Sequence, residues 1–138
     1  MSTTLADLID THGVDVLDHL DREASIPVLD GLQFQGDVAV IPTSDLGIDA
    51  GTTVPTQGIP VVRGENGGNT HLLLAQGDVR FAPASPSARD LGLGVLTVPA
   101  GSVAYLAHPE HGYCGIAPGT YEIRRQREQA EEIRLVAD

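Results

Sequence analysis

The amino-acid sequence predicts a mostly β protein: a small antiparallel sandwich or barrel of about seven to nine short strands behind a short helical N-terminal segment. Three observations lead there. The apolar spacing changes from a period near 3.6 to a period of 2 beyond residue 24. Sixteen Gly and nine Pro are spread along the chain and break it into short pieces. Hydrophobic residues make up 41% but aromatics only 4%, with no Trp, so the interior must be built from Val, Leu, Ile and Ala. Branched aliphatics of that kind pack well on a pleated face.

At 138 residues the chain suits a single core. Its expected organisation is a helical segment over 1–24, a connection over 25–31 and a β-domain over 32–138. In the first part Leu5, Leu8, Ile9, Val16, Leu17 and Leu20 form one apolar stripe. Thr4 is a good N-cap with Asp7 three residues on, and Gly13 suits a helix C-terminus. Two short helices, 4–12 and 15–23, or one kinked helix, fit this pattern. The stripe must pack on its own sheet or on a neighbouring subunit. His12 and His19 are most simply solvent-facing.

Ser25, Pro27 and Asp30-Gly31 mark the connection. Leu32 to Ile41 alternates on both sides of a Gly36-Asp37 step. Val54 and Ile59–Val62 are short β-prone pieces. His71–Ala75 and Val79–Phe81 flank Gln76-Gly77-Asp78, which reads as a hairpin turn. Residues 82–92 read as an exposed loop. Val95–Val98, Val103–Ala107 and Thr120–Arg127 are further strands, punctuated by Pro99-Ala100-Gly101 and Pro118-Gly119. Ile133–Val136 is a last strand after the polar stretch 126–132. Gln35-Gly36-Asp37-Val38 recurs as Gln76-Gly77-Asp78-Val79, as two similar halves would leave it. Nothing alternates βαβ, so a parallel nucleotide-binding sheet is not expected.

Eight Arg and no Lys stand against nineteen Asp plus Glu, a net charge of −11. That balance repels phosphate backbones and anionic membranes, so neither nucleic acid nor membrane is an expected partner. The cluster Arg124, Arg125, Arg127 is interleaved with Glu122 and Glu128 and reads as a mixed-charge strand. The single cysteine, Cys114, allows no intramolecular disulfide. With no signal-peptide pattern and no long apolar run, the expected setting is the cytoplasm, or a particle assembled there, rather than secretion.

No P-loop, nucleophile elbow or CxxC is present. The glycine-rich run 64–69 lacks the helix and the Lys of a phosphate cradle, and reads as a flexible loop. The constellation that carries chemistry is histidine-based. His108-Pro109-Glu110-His111 lies between strands, and a β-turn there would put the Cα atoms of the two histidines within ~7 Å. Two imidazoles so placed can share a Zn, Fe or Mn ion. His71, opening an apolar strand, could supply a third ligand, and Glu110 or Cys114 an addition. As plain structure, His108 and His111 would be turn residues, His71 a backbone-bonded strand start and Cys114 a small buried filler.

Residues 33–138 resemble a family of uncharacterised small bacterial proteins. The resemblance is carried by Gln35-Gly36-Asp37-Val38, by the Gly64-Glu65 segment ending in Asn69-Thr70-His71, and by His108-Pro109-Glu110-His111. Pro118-Gly119-Thr120-Tyr121 running into Arg124-Arg125-Gln126-Arg127-Glu128, and the closing Val136-Ala137-Asp138, complete it. It implies a shared β-fold and points to the histidines, but implies no activity. The chain departs from the family's His-x-His pair, because Asn69 stands at its first position. A cupin-like site usually takes two ligands from that pair.

Two functional expectations follow. One is a non-catalytic assembly or binding module with no cofactor, self-associating into a homo-oligomer or decorating a larger structure such as a capsid or shell. The other is a cupin-like metal-binding barrel, with His71, His108 and His111 as ligands, that could act on a small molecule.

Overall fold

A computed structural model describes residues 3–17, 20–43, 51–62, 70–83 and 92–125. Thr4 caps helix α1 (Leu5–His12) through a complete capping box. Its side chain accepts from the Asp7 backbone N–H at 3.2 Å, and the Asp7 carboxylate accepts from the Thr4 N–H at 3.0 Å. Gly13 ends the helix at φ +76°, its N–H donating to the Ile9 carbonyl at 2.8 Å.

The second expected helix, over 15–23, is absent among the described residues. Tertiary partners take the backbone groups that an i→i−4 ladder would use. The Leu17 N–H donates to the Pro109 carbonyl (2.8 Å), Tyr113 Oη donates to Val14 O (2.7 Å), and Arg22 donates to Val16 O (2.9 Å). Asp15 accepts from the next N–H, a local bond that competes with helix.

Among the described residues, eleven strands form two sheets. The first has the order β1 (Val28–Leu29), β10 (Gly112–Ile116), β9 (Val103–His108), β6 (His71–Gln76), β5 (Ile59–Val62). The second has the order β2 (Gln33–Gln35), β3 (Val38–Pro42), β11 (Gly119–Arg125), β8 (Gly92–Val98), β7 (Arg80–Pro83), β4 (Thr52–Thr53). Among the described strands, only the short β1–β10 pairing is parallel. The protein is thus a mostly β sandwich with an N-terminal helix. No helix among the described residues is long and apolar enough to cross a membrane.

The sheets enclose one core. Val38, Val40, Phe81, Leu96, Val98, Tyr121 and Ile123 face Leu73, Ala104, Leu106 and Ile116 across it. The period-2 pattern is clean on β11 and β8, where alternate residues are buried. On β9 it is lost, with five successive residues buried, because the first sheet is covered on both faces. Leu5, Leu8 and Val16 pack on its outer face against Leu74, Tyr105, Ala107 and Tyr113. The apolar stripe therefore packs on its own sheet except at Leu17, which is exposed. His12 belongs to this layer and is not solvent-facing. Its ring lies 5.9 Å from Tyr105 and 6.4 Å from Tyr113, centroid to centroid, and Nε2 is buried without a hydrogen-bond partner among the described residues. His19 lies outside the described residues.

Two further expectations change. Gln76-Gly77-Asp78 is no hairpin: β6 and β7 belong to different sheets, and the turn carries the chain across the sandwich. Gln35-Gly36-Asp37-Val38 does join hydrogen-bonded neighbours, β2 and β3. The recurring tetrapeptide thus occupies two unlike positions and marks no repeated halves. The connection expected over 25–31 contains β1, and β10 is a strand beyond those the sequence predicts. The loop 64–69, most of 82–92, Arg127 and the expected strand Ile133–Val136 lie outside the described residues.

Candidate histidine site

Strand parity places the site. His71 shares its face with Leu73, and His108 shares its face with Leu106 and Ala104, so both imidazoles sit on the inner face of the first sheet at one end of the core. Leu72 pairs with Ala107, which sets the two histidines beside one another on adjacent strands. Both are buried, at 4% and 6% relative exposure, where the pattern of these strands would otherwise put an aliphatic. His111 follows through the turn 108–111 and is exposed. Ring centroids are 4.4 Å apart for His71 and His108, 4.6 Å for His108 and His111, and 6.3 Å for His71 and His111. The structure thus brings together all three histidines singled out in the sequence.

The other half of the site comes from the second sheet. Gln35, buried at the end of β2, reaches across the sandwich. Its Nε2 donates to the carbonyls of Leu106 (2.9 Å) and Gly112 (3.0 Å), and its Oε1 lies 3.1 Å from His71 Nδ1. Both amide hydrogens face carbonyls, which fixes the orientation of the carboxamide. Oε1 can then only accept, so His71 Nδ1 carries the hydrogen and donates. Nε2 of the same ring points at Asp37, with Oδ1 at 3.5 Å.

His108 has the opposite tautomer. Its Nδ1 accepts from the backbone N–H groups of Glu110 (3.1 Å) and His111 (3.2 Å), closing the turn. Nε2 of the neutral ring therefore bears the hydrogen. Gly36 lids the cluster. It has φ +59°, and a Cβ there would stand 2.9 Å from His111 Nε2 and 3.5 Å from His71 Cε1. Glycine meets both the turn geometry of a two-residue hairpin and the space the rings occupy.

Electrostatics keep the buried rings neutral. Burial, then the neighbouring His108, push the His71 pKa down to about 4, against the opposing pull of Asp37. His108 is lowered too, first by burial and then by His111, with Glu110 and Asp37 opposing. Burial pushes the Cys114 thiol up to about 11; its side chain packs against the core, and Sγ lies 3.9 Å from Gln35 Nε2. Glu110 is exposed and acts on His108 through charge. Among the described residues, no three His, Cys, Asp or Glu side chains already converge on one metal position. A cavity of about 380 Å³ lies elsewhere, lined by Asp78, Arg80, Thr97 and Pro99.

Sequence reasoning found the histidines and missed Gln35 and Asp37. Both stand in the Gln-Gly-Asp-Val segment, whose Gly-Asp step was read only as a turn.

Fold and site together define a β-sandwich with a histidine cluster set between its two sheets at one end. The chain belongs to the family described as a domain of unknown function (DUF8820), which matches residues 34–126. No curated protein and no solved structure matches it.

Proposed function

We propose that this protein is a ligand-binding β-sandwich that takes a divalent transition metal at its histidine end. The observation that carries the reading is the adjacency of the His71, His108 and His111 rings, one from β6 and two from the end of β9 and the turn after it, with His71 and His108 buried on the inner face. Burying imidazole at an aliphatic position costs free energy unless its nitrogens are used. Neutral imidazole is the commonest protein ligand for Zn, Fe and related ions. Binding, not catalysis, is what these residues support. Native mass spectrometry after exposure to Zn²⁺, Mn²⁺ or anaerobic Fe²⁺ tests it. One ion per chain is expected, lost in His71→Ala. A wild-type protein that takes up none of these ions ends the reading.

A separate observation favours self-association as a second reading. Val28, Leu29, Leu32 and Phe34 are 40–58% exposed. They lie on or between β1 and β2, the edge strands of the two sheets, which three residues join. Open edges bearing apolar side chains are templates for pairing, here with a second copy. Sedimentation should then show an oligomer that Phe34→Glu dissociates. A wild-type monomer at high concentration excludes it.

A further inference from the structure

We infer that the metal ligands are His71 Nε2, Asp37 Oδ1 and His111 Nε2, a two-histidine, one-carboxylate set, and that His108 is no ligand but a hydrogen-bond donor beside it. The inference rests on the metal-binding reading above and changes its ligand set.

His71 is the fixed member. Gln35 Oε1 takes the Nδ1 hydrogen, so Nε2 presents a lone pair. The group it faces, Asp37 Oδ1 at 3.5 Å, is itself an acceptor. A cation between them, whether a proton or a metal ion, would pair both lone pairs at once. The orienting bond from Nδ1 to a second-layer oxygen is also the arrangement that metal-bound imidazoles adopt. The movable members are on the rim. The Asp37 carboxyl is 43% exposed and His111 is exposed, so each can rotate toward His71 without disturbing the core. Gly36, with no side chain, lets His111 Nε2 and His71 Cε1 come close to the turn that carries Asp37.

His108 cannot join them as it stands. Its Nδ1 lone pair is occupied by two backbone N–H donors, and Nε2 carries the hydrogen. Ligation through Nε2 would move the ring's one N–H hydrogen onto Nδ1, against those two donors. Its place beside both other rings instead lets Nε2–H donate to a water or anion on the metal's open position. Two imidazoles, one carboxylate and open positions suit Fe²⁺, Mn²⁺ or Co²⁺.

Anaerobic Co²⁺ titration of the full chain, followed by visible absorption and calorimetry, tests the assignment. Wild type should bind one Co²⁺ per chain. Asp37→Asn and His111→Ala should each weaken binding by more than the ~10–100-fold that loss of an outer partner costs. His108→Asn keeps an oxygen that can accept the turn's N–H groups, and should retain affinity within about tenfold while the pH dependence of the Co²⁺ spectrum shifts. Thermal melts of each variant identify any that fail to fold, in which case Asp37→Ser and His111→Gln replace them. If wild type binds no Co²⁺ and ¹⁵N shifts report an imidazolium at His71, a proton fills the gap and the metal reading itself fails. If wild type binds, but Asp37→Asn binds equally well or His108→Asn loses the ion, metal binding stands and this ligand set is overturned.

Discussion

Gln35 and His71 come from opposite sheets, 36 residues apart, and are joined by a buried 3.1 Å hydrogen bond that fixes the tautomer of the imidazole. The same carboxamide ties the carbonyls of Leu106 and Gly112, so one side chain satisfies three buried groups. Gln35→Leu takes this partner from His71 Nδ1 and the Gly112 carbonyl, while the Leu106 carbonyl keeps the Cys114 thiol, and should cost about 2–6 kcal/mol at roughly 1–3 per orphaned group. Urea denaturation checks it. A loss under 1 kcal/mol would show that water replaces the carboxamide.

Gly36 and Gly13 both have positive φ but differ in surroundings. A Cβ at Gly13 meets nothing within 4 Å, whereas one at Gly36 meets His111 Nε2 at 2.9 Å. Gly13→Ala should cost only the left-handed backbone term, about 1–2 kcal/mol. Gly36→Ala should cost at least as much and also displace His111, seen as a changed His111 ring resonance in NMR spectra. Equal stability losses with unchanged imidazole signals would contradict the lid role of Gly36.

Acidification should destabilise the metal-free protein. His12 and His108 are lowered by burial, and His71 falls from the ordinary 6.5 to about 4. Between those values the unfolded chain binds more protons than the folded one, so stability falls as pH drops through 6.5, and the histidine part of that fall is complete below about 4. The His71 contribution is on the order of 3 kcal/mol, at 1.36 kcal/mol per pKa unit. Denaturant midpoints at pH 7.5, 5.5 and 4.5 measure it, and His71→Gln should flatten the profile. A flat wild-type profile would mean that the histidines titrate normally.

The N-terminal segment should be inseparable from the β-domain. Deleting residues 1–24 uncovers Leu74, Tyr105, Ala107 and Tyr113, so the truncated chain should aggregate rather than give a smaller stable core. Thr4→Ala, which removes the capping box alone, should cost about 1 kcal/mol and leave the fold intact. A soluble, cooperatively melting truncation would refute this.

Legibility in the sequence followed the range of the interactions. Helix α1 was readable because Thr4, Asp7 and Gly13 act within one turn. The alternation of β8 and β11 was readable because each sheet has one core face there. The segment 15–23 has helical spacing too, but bonds to Pro109 and Tyr113, distant in sequence, override it. Strand β10 was invisible because Gly112, Cys114 and Gly115 carry no β signal; Gly115 is needed where the Pro27 carbonyl would sit 2.7 Å from a Cβ. A Gly-Asp turn looks the same whether it folds a hairpin or crosses between sheets, so Gln76–Asp78 was misjudged. Asp37 was missed for a related reason: local spacing cannot reveal that a turn in one sheet overhangs a histidine in the other.

Because Gln35, His71 and His108 meet only when both sheets have closed on one another, the unfolded chain holds no copy of this site. Folding must first join positions up to 77 residues apart, as Gln35 and Gly112 are, a long-range requirement that slows the search. Any occupant then acts as a thermodynamic clamp on the finished sandwich. At a hundred times its Kd it would raise the unfolding free energy by about 2.7 kcal/mol. Abundance of the folded chain would then follow the supply of whatever the histidines hold.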